Sequence, residues 1–166
     1  MKKYCCCTGH RPNGFPFDYF KDEEKRNAYL TALQSKIVFA IEQGATQFIS
    51  GMSLGVDLDF AEIILKLKAK FPITLECAMP YPDYFVRWSF EDEKRNYEIL
   101  KSADKVTLVS DRYFNGCLFK RNRYMVDKSD LVIAVFNGEK KGGTFYTLSY
   151  AEKQGKHIQI IDLREL

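Results

Sequence analysis

The chain has 166 residues, of which 46% are hydrophobic and 28% charged, and its formal net charge is +3 at pH 7. This length fits one domain, and the composition is typical of a folded protein with a packed core, which excludes a disordered chain. The small positive charge permits an anionic ligand, but it does not indicate nucleic-acid binding through bulk charge alone.

Five cysteines are present, and Cys5, Cys6 and Cys7 are consecutive. Neighbouring residues of a strand point to opposite faces, so these three form neither a disulfide framework nor a CxxC metal site. We interpret all five as small apolar residues of a protein in a reducing compartment.

The first residues, Met1 to Tyr4, show no signal-peptide pattern, and no run of about 18 apolar residues could span a membrane. The sequence therefore predicts a cytoplasmic protein that is not inserted in a membrane.

Short apolar runs alternate with longer amphipathic segments along the chain. The predicted strands are 4–8, 47–50, 73–79, 106–109, 131–136 and 157–161. The predicted helices are 21–43, 56–70, 89–101, 124–128 and 143–154, with 111–122 as a loop. Ser89 and Asp92, three residues apart, resemble a capping box at a helix start. The alternation predicts an α/β fold: a single Rossmann-like domain over 1–166, with a mainly parallel sheet and helices on both faces.

Glycine, hydroxyl and basic residues follow three of the predicted strands, where open parallel sheets bind their ligands. They form the segments Thr8-Gly9-His10-Arg11-Pro12, Ser50-Gly51-Met52-Ser53-Leu54-Gly55-Val56-Asp57 and Asn137-Gly138-Glu139-Lys140-Lys141-Gly142-Gly143-Thr144. Glycines let backbone N–H groups approach an anion, and a following helix N-terminus adds about half a positive charge. Each glycine pair alone is also typical of plain turns, but their joint placement predicts phosphate binding. Neither a Walker loop nor the three-glycine dinucleotide fingerprint is present.

Charged side chains near these glycines are the candidates for chemistry. Arg11 suits charge pairing with a phosphate. His10 is either an acid/base group or a structural histidine. Asp57 either caps its helix or contacts a ribose or base, or orients Arg11. With Asp127, His10 and Asp57 are the acid/base candidates that the sequence offers.

The stretch 112–124 interleaves basic and aromatic residues, a pattern that suits stacking and backbone contacts with a single strand of nucleic acid. The alternative is a solvated loop whose aromatic side chains pack on the core. Two hypotheses are also open for Trp88. Together with Arg87 and Arg95 it forms part of a pocket wall, or it packs in the core.

Four ordered motifs resemble those of the YpsA-like proteins, in a superfamily (SLOG) that also holds the lonely-guy phosphoribohydrolases and the DNA-processing protein A family. The motifs are Thr8-Gly9-His10-Arg11-Pro12, Ser50-Gly51-Met52-x-x-Gly55-Val56-Asp57, Arg121-Asn122-x-x-Met125-Val126-Asp127 and Gly142-Gly143-Thr144-x-x-Thr147. The resemblance covers almost the whole chain and implies a pocket for a nucleotide or nucleotide-derived ligand. The loops and the resemblance together indicate as ligand-binding residues Thr8, Gly9, His10, Arg11, Ser50, Gly51, Gly55, Asp57, Arg121, Asn122, Asn137, Gly142, Gly143, Thr144 and Thr147.

The chain departs from the lonely-guy hydrolases at one position. They carry a catalytic glutamate three residues after the threonine of the glycine loop, where this chain has Thr147. A threonine cannot ionise to assist N-glycoside cleavage, and Glu152 lies too far along the helix to replace the glutamate. We expect Thr147 to face the pocket and to make one hydrogen bond.

Three functions stay open. A binding module or sensor for a nucleotide-type phosphate ligand is favoured, because the loops are rich in anion donors and poor in catalytic pairs. The alternatives are a hydrolase acting on a nucleotide, with His10 or Asp57 as catalyst, and a single-stranded nucleic-acid binder. No metal or covalent cofactor is implied, and the sequence is compatible with a homo-oligomer. Under each of these three hypotheses, we expect Gly9, Gly51 and Gly143 to lie around one cavity at the carboxyl edge of the sheet.

Overall fold

The computed structural model describes residues 2–166, and Met1 lies outside the described residues. The strands are β1 (Lys3–Thr8), β2 (Ala45–Ser50), β3 (Thr74–Met79), β4 (Lys105–Leu108), β5 (Leu131–Phe136) and β6 (His157–Asp162). The helices are α1 (Glu23–Glu42), α2 (Val56–Leu67), α3 (Phe90–Ser102), α4 (Cys117–Lys128) and α5 (Gly142–Lys153). Short 3₁₀ helices span Pro12–Gly14 and Leu163–Glu165. All six strands are parallel and lie in the order β4-β3-β2-β1-β5-β6.

The helices cover both faces of the sheet, as the three consecutive cysteines of β1 show. Cys5 and Cys7 pack with residues of α1, α2 and α3, such as Leu33, on one face. Cys6 packs on the other face with residues of α4 and α5, such as Met125. All five cysteines are free and buried, and burial raises the pKa of Cys6 to about 12. The predicted α/β fold is confirmed.

One predicted boundary is wrong, and its cause is physical. The stretch 117–122 was expected in a loop, but α4 begins at Cys117, directly after Gly116, whose φ of 97° lies in the left-handed region. The buried stripe of this helix is Cys117, Arg121 and Met125, spaced by four residues. Because a buried arginine interrupts the apolar pattern, hydrophobic periodicity does not reveal the first half of the helix.

The other elements begin and end close to their predicted positions. Ser89 caps α3 as expected, since its hydroxyl accepts a hydrogen bond from the backbone N–H of Asp92 over 3.2 Å. Asp22 caps α1 in the same way, accepting from the backbone N–H of Lys25 over 3.1 Å. The α1 helix therefore starts after Asp22, two residues later than predicted.

The strand order places a crevice beside β1. The chain builds β1 to β4 outward in one direction and then returns to place β5 on the other side of β1. Connections leave the carboxyl ends of β1 and β5 in opposite directions, and this is where open parallel sheets bind ligands. Among the described residues, no helix combines the length and apolar character needed to cross a bilayer.

Candidate functional site

A cavity of about 410 Å³ lies at this crevice. Its size is typical of small-molecule sites. Its walls come from the end of β1 and the loop after it, and from the starts of α2, α4 and α5. The predicted ligand-binding residues on its wall are Thr8, Gly9, His10, Arg11, Asp57, Arg121, Asn122, Gly143 and Thr144.

The remaining predicted residues do not line the cavity: Ser50, Gly51, Gly55, Asn137, Gly142 and Thr147. Two of the three glycines expected around the cavity, Gly9 and Gly143, line it directly. Gly51 stands one layer back, where a Cβ would lie 2.9 Å from the guanidinium carbon of Arg121. All three therefore gather at the same edge of the sheet.

Close packing explains the glycines at 9, 51 and 55. A Cβ on Gly9 would lie 2.5 Å from a methyl carbon of Val56, at the start of α2. A Cβ on Gly55 would lie 2.5 Å from the backbone oxygen of His10, and the φ of Gly55 is 88°. Gly51 leaves room for both Arg121 and the Asp57 carboxylate. These glycines allow the loops after β1 and β2 to touch.

Gly143 differs from them. It is the second residue of α5, and a Cβ built on it meets no other atom within 4 Å. Its neighbour Gly142 has a φ of 85°, which favours glycine, whereas Gly143 has no such backbone requirement. Packing within the protein therefore gives no reason for the absence of a side chain at Gly143, which faces the cavity.

His10 connects the loop after β1 to the loop after β5 through a hydrogen bond. Its Nε2 accepts a hydrogen bond from the backbone N–H of Asn137 over 3.1 Å, so the neutral ring carries its proton on Nδ1. Nδ1 lies 3.5 Å from the hydroxyl oxygen of Thr144. Burial lowers the pKa of His10, an effect that Glu139 opposes. A second hydrogen bond connects the same two loops, because the Asn137 side chain donates to the backbone oxygen of Gly14 over 2.9 Å.

Two hydroxyl groups connect the two arginines of the cavity. Arg11 donates to the hydroxyl of Tyr84 over 3.1 Å, and Arg121 donates to the hydroxyl of Ser53 over 3.3 Å. The hydroxyls of Ser53 and Tyr84 are 2.9 Å apart. Both guanidinium groups are therefore held on one wall, although Arg11 is exposed and Arg121 is buried.

Arg121 is anchored by further bonds. Its Nη1 donates to the backbone oxygen of Gly51, and its Nε donates to the side-chain oxygen of Asn122 over 2.8 Å. Only 3% of this residue is exposed. It therefore closes the loop after β2 against α4 as well as presenting charge to the cavity.

Asp57 supplies the one carboxylate on the cavity wall within residues 2–166. Its Oδ2 accepts a hydrogen bond from the backbone N–H of Ser53 over 3.2 Å, and its backbone oxygen accepts one from the hydroxyl of Ser50 over 2.8 Å. Burial raises the pKa of Asp57, although Arg121 acts in the opposite sense. Asp57 thus orders the loop after β2 and places a carboxyl group with a raised pKa beside the cavity.

Thr147 makes the one hydrogen bond expected of it, but within its own helix. Its hydroxyl donates to the backbone oxygen of Gly143 over 2.8 Å, and only 1% of the residue is exposed. The side chain does not line the cavity, contrary to the expected orientation. The carbonyl one turn earlier in α5 is within reach of the hydroxyl, as is common for a threonine inside a helix.

Aromatic side chains of the stretch 112–124 form part of the cavity wall. The sequence did not decide whether these side chains bind a ligand or pack on the core. Tyr113, Phe114 and Phe119 line the cavity and are exposed, so packing on the core does not account for them. Trp88 instead packs against the core beside Tyr84, as the alternative for that residue stated. The three exposed rings lie just before α4 or in its first turn, and hydrophobic periodicity did not reveal where that helix starts.

Asp127 lies away from this cavity. Its carboxylate accepts a hydrogen bond from the hydroxyl of Tyr150 over 2.5 Å, on the exposed side of α4. Of the three acid/base candidates, the structure brings His10 and Asp57 together on the cavity wall.

Almost the whole chain matches a known family. The model of the YpsA family, described as the YspA SLOG family, matches residues 5–166. The chain belongs to the YpsA family. Among curated relatives, a UPF0398 protein of Bacillus cereus is 31% identical over 159 residues, 93% of this chain and 85% of the relative. One of Bacillus pumilus is 32% identical over 155 residues, covering 90% and 82%. One of Halalkalibacterium halodurans is 32% identical over 126 residues, covering 74% and 67%.

Proposed function

We propose that the protein is a cytoplasmic binding module or sensor for a nucleotide or nucleotide-derived ligand that carries a phosphate group. The observation that carries the proposal is the open space at Gly143, in the first turn of α5 and on the cavity wall. Backbone N–H groups in the first turn of a helix have no partner within the helix and attract anions. A bare glycine there lets an anion reach those groups.

The charges around Gly143 favour the same ligand. Arg11 and Arg121 supply two positive charges to the cavity, against the one carboxylate of Asp57. Guanidinium groups suit phosphate because their planar donors match its oxygens. The hydroxyl groups of Thr8 and Thr144 line the cavity as further hydrogen-bonding groups.

The arrangement favours binding over hydrolysis. The position of the glutamate in the related phosphoribohydrolases is held by Thr147, which cannot ionise and bonds to Gly143. His10 receives a backbone hydrogen bond on Nε2 and has a lowered pKa, so it holds the loops together as a neutral ring.

Gly143→Leu tests the proposal, because the leucine side chain would enter the cavity without meeting protein atoms at its Cβ. We expect a nucleoside monophosphate, cyclic nucleotide or dinucleotide to raise the thermal midpoint of the wild type, since a ligand of the folded state stabilises it. Gly143→Leu should abolish that rise while keeping its own midpoint. Glu152→Leu, exposed on the same helix, is the control and should bind normally. Equal binding by Gly143→Leu would contradict the proposal, and tighter binding of short oligonucleotides would favour the single-strand alternative.

The raised pKa of the buried Asp57 favours one second candidate, hydrolysis of an N-glycosidic bond with Asp57 as the acid. Purine and pyrimidine monophosphates would be incubated with the protein and the free base followed by chromatography. Sustained release by the wild type that Asp57→Asn abolishes would establish this hydrolase. Binding without release would support the binding module.

A further inference from the structure

Three large aromatic side chains form one rim of the cavity. Tyr113 is 67% exposed, Phe114 41% and Phe119 40%, and all three line the cavity. We call these three residues the aromatic rim. Exposed apolar side chains that gather on one patch mark a binding surface more often than scattered ones do. The patch belongs to the cavity, so what covers it should be bound there.

Neighbouring side chains hold the rim in place. The ring of Tyr113 meets the ring of Tyr81 edge to face, with centroids 5.5 Å apart. The ring centroid of Phe119, in the first turn of α4, lies 4.4 Å from that of Tyr146, the fifth residue of α5. The rings of Tyr113 and Phe119 are therefore fixed on one side, while a large part of all three rings of the rim stays open to solvent. Ordered rings with open faces are suited to stacking against another planar group.

Apart from Arg121 of α4, the groups proposed to bind the anion come from other parts of the chain than the rim. Gly143 and Thr144 belong to the first turn of α5, and Arg11 to the loop after β1. Phe114 has Lys120 near its ring, with the ammonium 5.8 Å from the centroid. The cavity thus joins an anion-binding wall to an aromatic one. A ligand that uses both walls carries a phosphate and a flat heteroaromatic ring.

We infer that the aromatic rim binds the base of a nucleoside phosphate whose phosphate lies at the first turn of α5. This inference rests on the proposed function and deepens it, because it excludes sugar phosphates and inorganic phosphate as the preferred ligand. Recognition by stacking is tolerant of base identity, since every base has a π-face, but it grows with ring area. Purine nucleotides should bind more tightly than pyrimidine nucleotides, and both more tightly than ribose 5-phosphate.

Isothermal titration of AMP, CMP and ribose 5-phosphate into the wild type and four variants tests the rim. Phe114→Leu keeps an apolar side chain but removes the ring, and it should weaken AMP binding roughly tenfold. Phe114→Trp should keep AMP binding within about threefold, because it retains a stacking face. Phe119→Leu should act like Phe114→Leu. Phe90→Leu, 79% exposed at the start of α3 and off the cavity wall, should change nothing.

Ribose 5-phosphate separates this inference from the proposed function. Its affinity should be equal in the wild type and in Phe114→Leu, since it has no base to stack. If AMP binds no more tightly than ribose 5-phosphate, and the rim variants leave AMP affinity unchanged, the rim has no role and a phosphate site alone survives. If AMP, CMP and ribose 5-phosphate all fail to bind, the inference fails, and the proposed function fails with it when cyclic nucleotides and dinucleotides also leave the thermal midpoint unchanged.

Discussion

His10 accepts a hydrogen bond on Nε2 from the backbone N–H of Asn137, 3.1 Å away. The bond joins the loop after β1 to the loop after β5, across the point where the strand order reverses. The loop after β1 lines the cavity, and the loop after β5 leads into Gly143 and Thr144 of α5, which also line it. The bond therefore fixes the separation of the two loops before any ligand arrives. A protonated His10 could not accept this bond, because both ring nitrogens would then be donors.

The stability of the protein should therefore depend on the protonation of His10. Burial lowers the pKa of His10 below its ordinary value of 6.5, so the unfolded chain binds this proton more tightly than the folded protein. The stabilisation is present above pH 6.5 and is lost as the pH falls toward the lowered pKa. The free energy of unfolding, measured with urea at pH 7.5 and 5.5, should fall more in the wild type than in His10→Gln. His157→Gln, at the exposed histidine, should keep the wild-type difference, whereas equal falls for wild type and His10→Gln would contradict the assignment.

Two glycines on the cavity wall should respond to alanine in opposite ways. Gly9→Ala places a methyl group 2.5 Å from a carbon of Val56, and such overpacking costs about 1–3 kcal/mol. Gly143→Ala adds the methyl group in open space within a helix, where alanine is favoured over glycine by about 0.5 kcal/mol or more. Urea unfolding of both variants measures these free energies. A loss of stability for Gly143→Ala as large as that for Gly9→Ala would mean that Gly143 is kept for packing.

The alanine variants of Arg11 and Arg121 should lose similar amounts of ligand affinity but differ in their free energy of unfolding. Replacing either by alanine should weaken a phosphate ligand by about 1.5–3 kcal/mol, the range for hydrogen bonds to charged groups. Arg11→Ala should leave the free energy of unfolding within about 0.5 kcal/mol of the wild type, because Arg11 is exposed. Arg121→Ala should lower it by about 1–3 kcal/mol, since the backbone oxygen of Gly51 loses its donor.

The expected difference in stability follows from the burial of Arg121. The burial of Arg121 depends on α4 beginning at Cys117. Titration calorimetry and urea unfolding of the two variants separate affinity from stability. Arg87→Ala, exposed and off the cavity wall, is the control for both measurements. Unchanged affinity in both arginine variants would remove these residues from the site.

Thr147→Val should leave ligand affinity unchanged, because the Thr147 side chain is buried behind the wall and bonds to the backbone oxygen of Gly143. Valine keeps the shape, so the free energy of unfolding should change by no more than about 1 kcal/mol. Calorimetric titration with the ligand of the wild type checks the affinity. A clear loss of affinity would show that the hydroxyl turns toward the cavity when the ligand binds.

The sequence predicts those features that depend on local patterns. The β5 strand is a run of six apolar residues and was predicted with its observed bounds. The loop after β1 was predicted at the site because glycine, histidine and arginine follow an apolar strand. The rest depends on distances that only the fold creates. The roles of Gly51 and Gly55 in packing require Arg121 and the backbone of His10 to approach them from distant parts of the chain.

A buried carboxylate of α2 that does not line the cavity gives the largest expected effect on stability. Asp59, two residues after Asp57 in α2, is 4% exposed and accepts hydrogen bonds from the hydroxyls of Tyr19 and Tyr29, each at 2.8 Å. Its one cationic partner among the described residues is Arg95 of α3, at 2.6 Å. Breaking such a pair leaves a buried charge without compensation and costs about 3 kcal/mol or more.

Arg95→Met should therefore lower the free energy of unfolding by about 3 kcal/mol, and Asp59→Asn combined with Arg95→Met should recover part of it, because no buried charge remains. Glu62 also pairs with Arg95 but is 42% exposed at its side chain, so Glu62→Gln should cost no more than about 1 kcal/mol. Urea unfolding of the three variants gives the ranking. If Arg95→Met and Glu62→Gln cost the same, the two hydroxyls alone satisfy Asp59, and Arg95 contributes only as a surface charge.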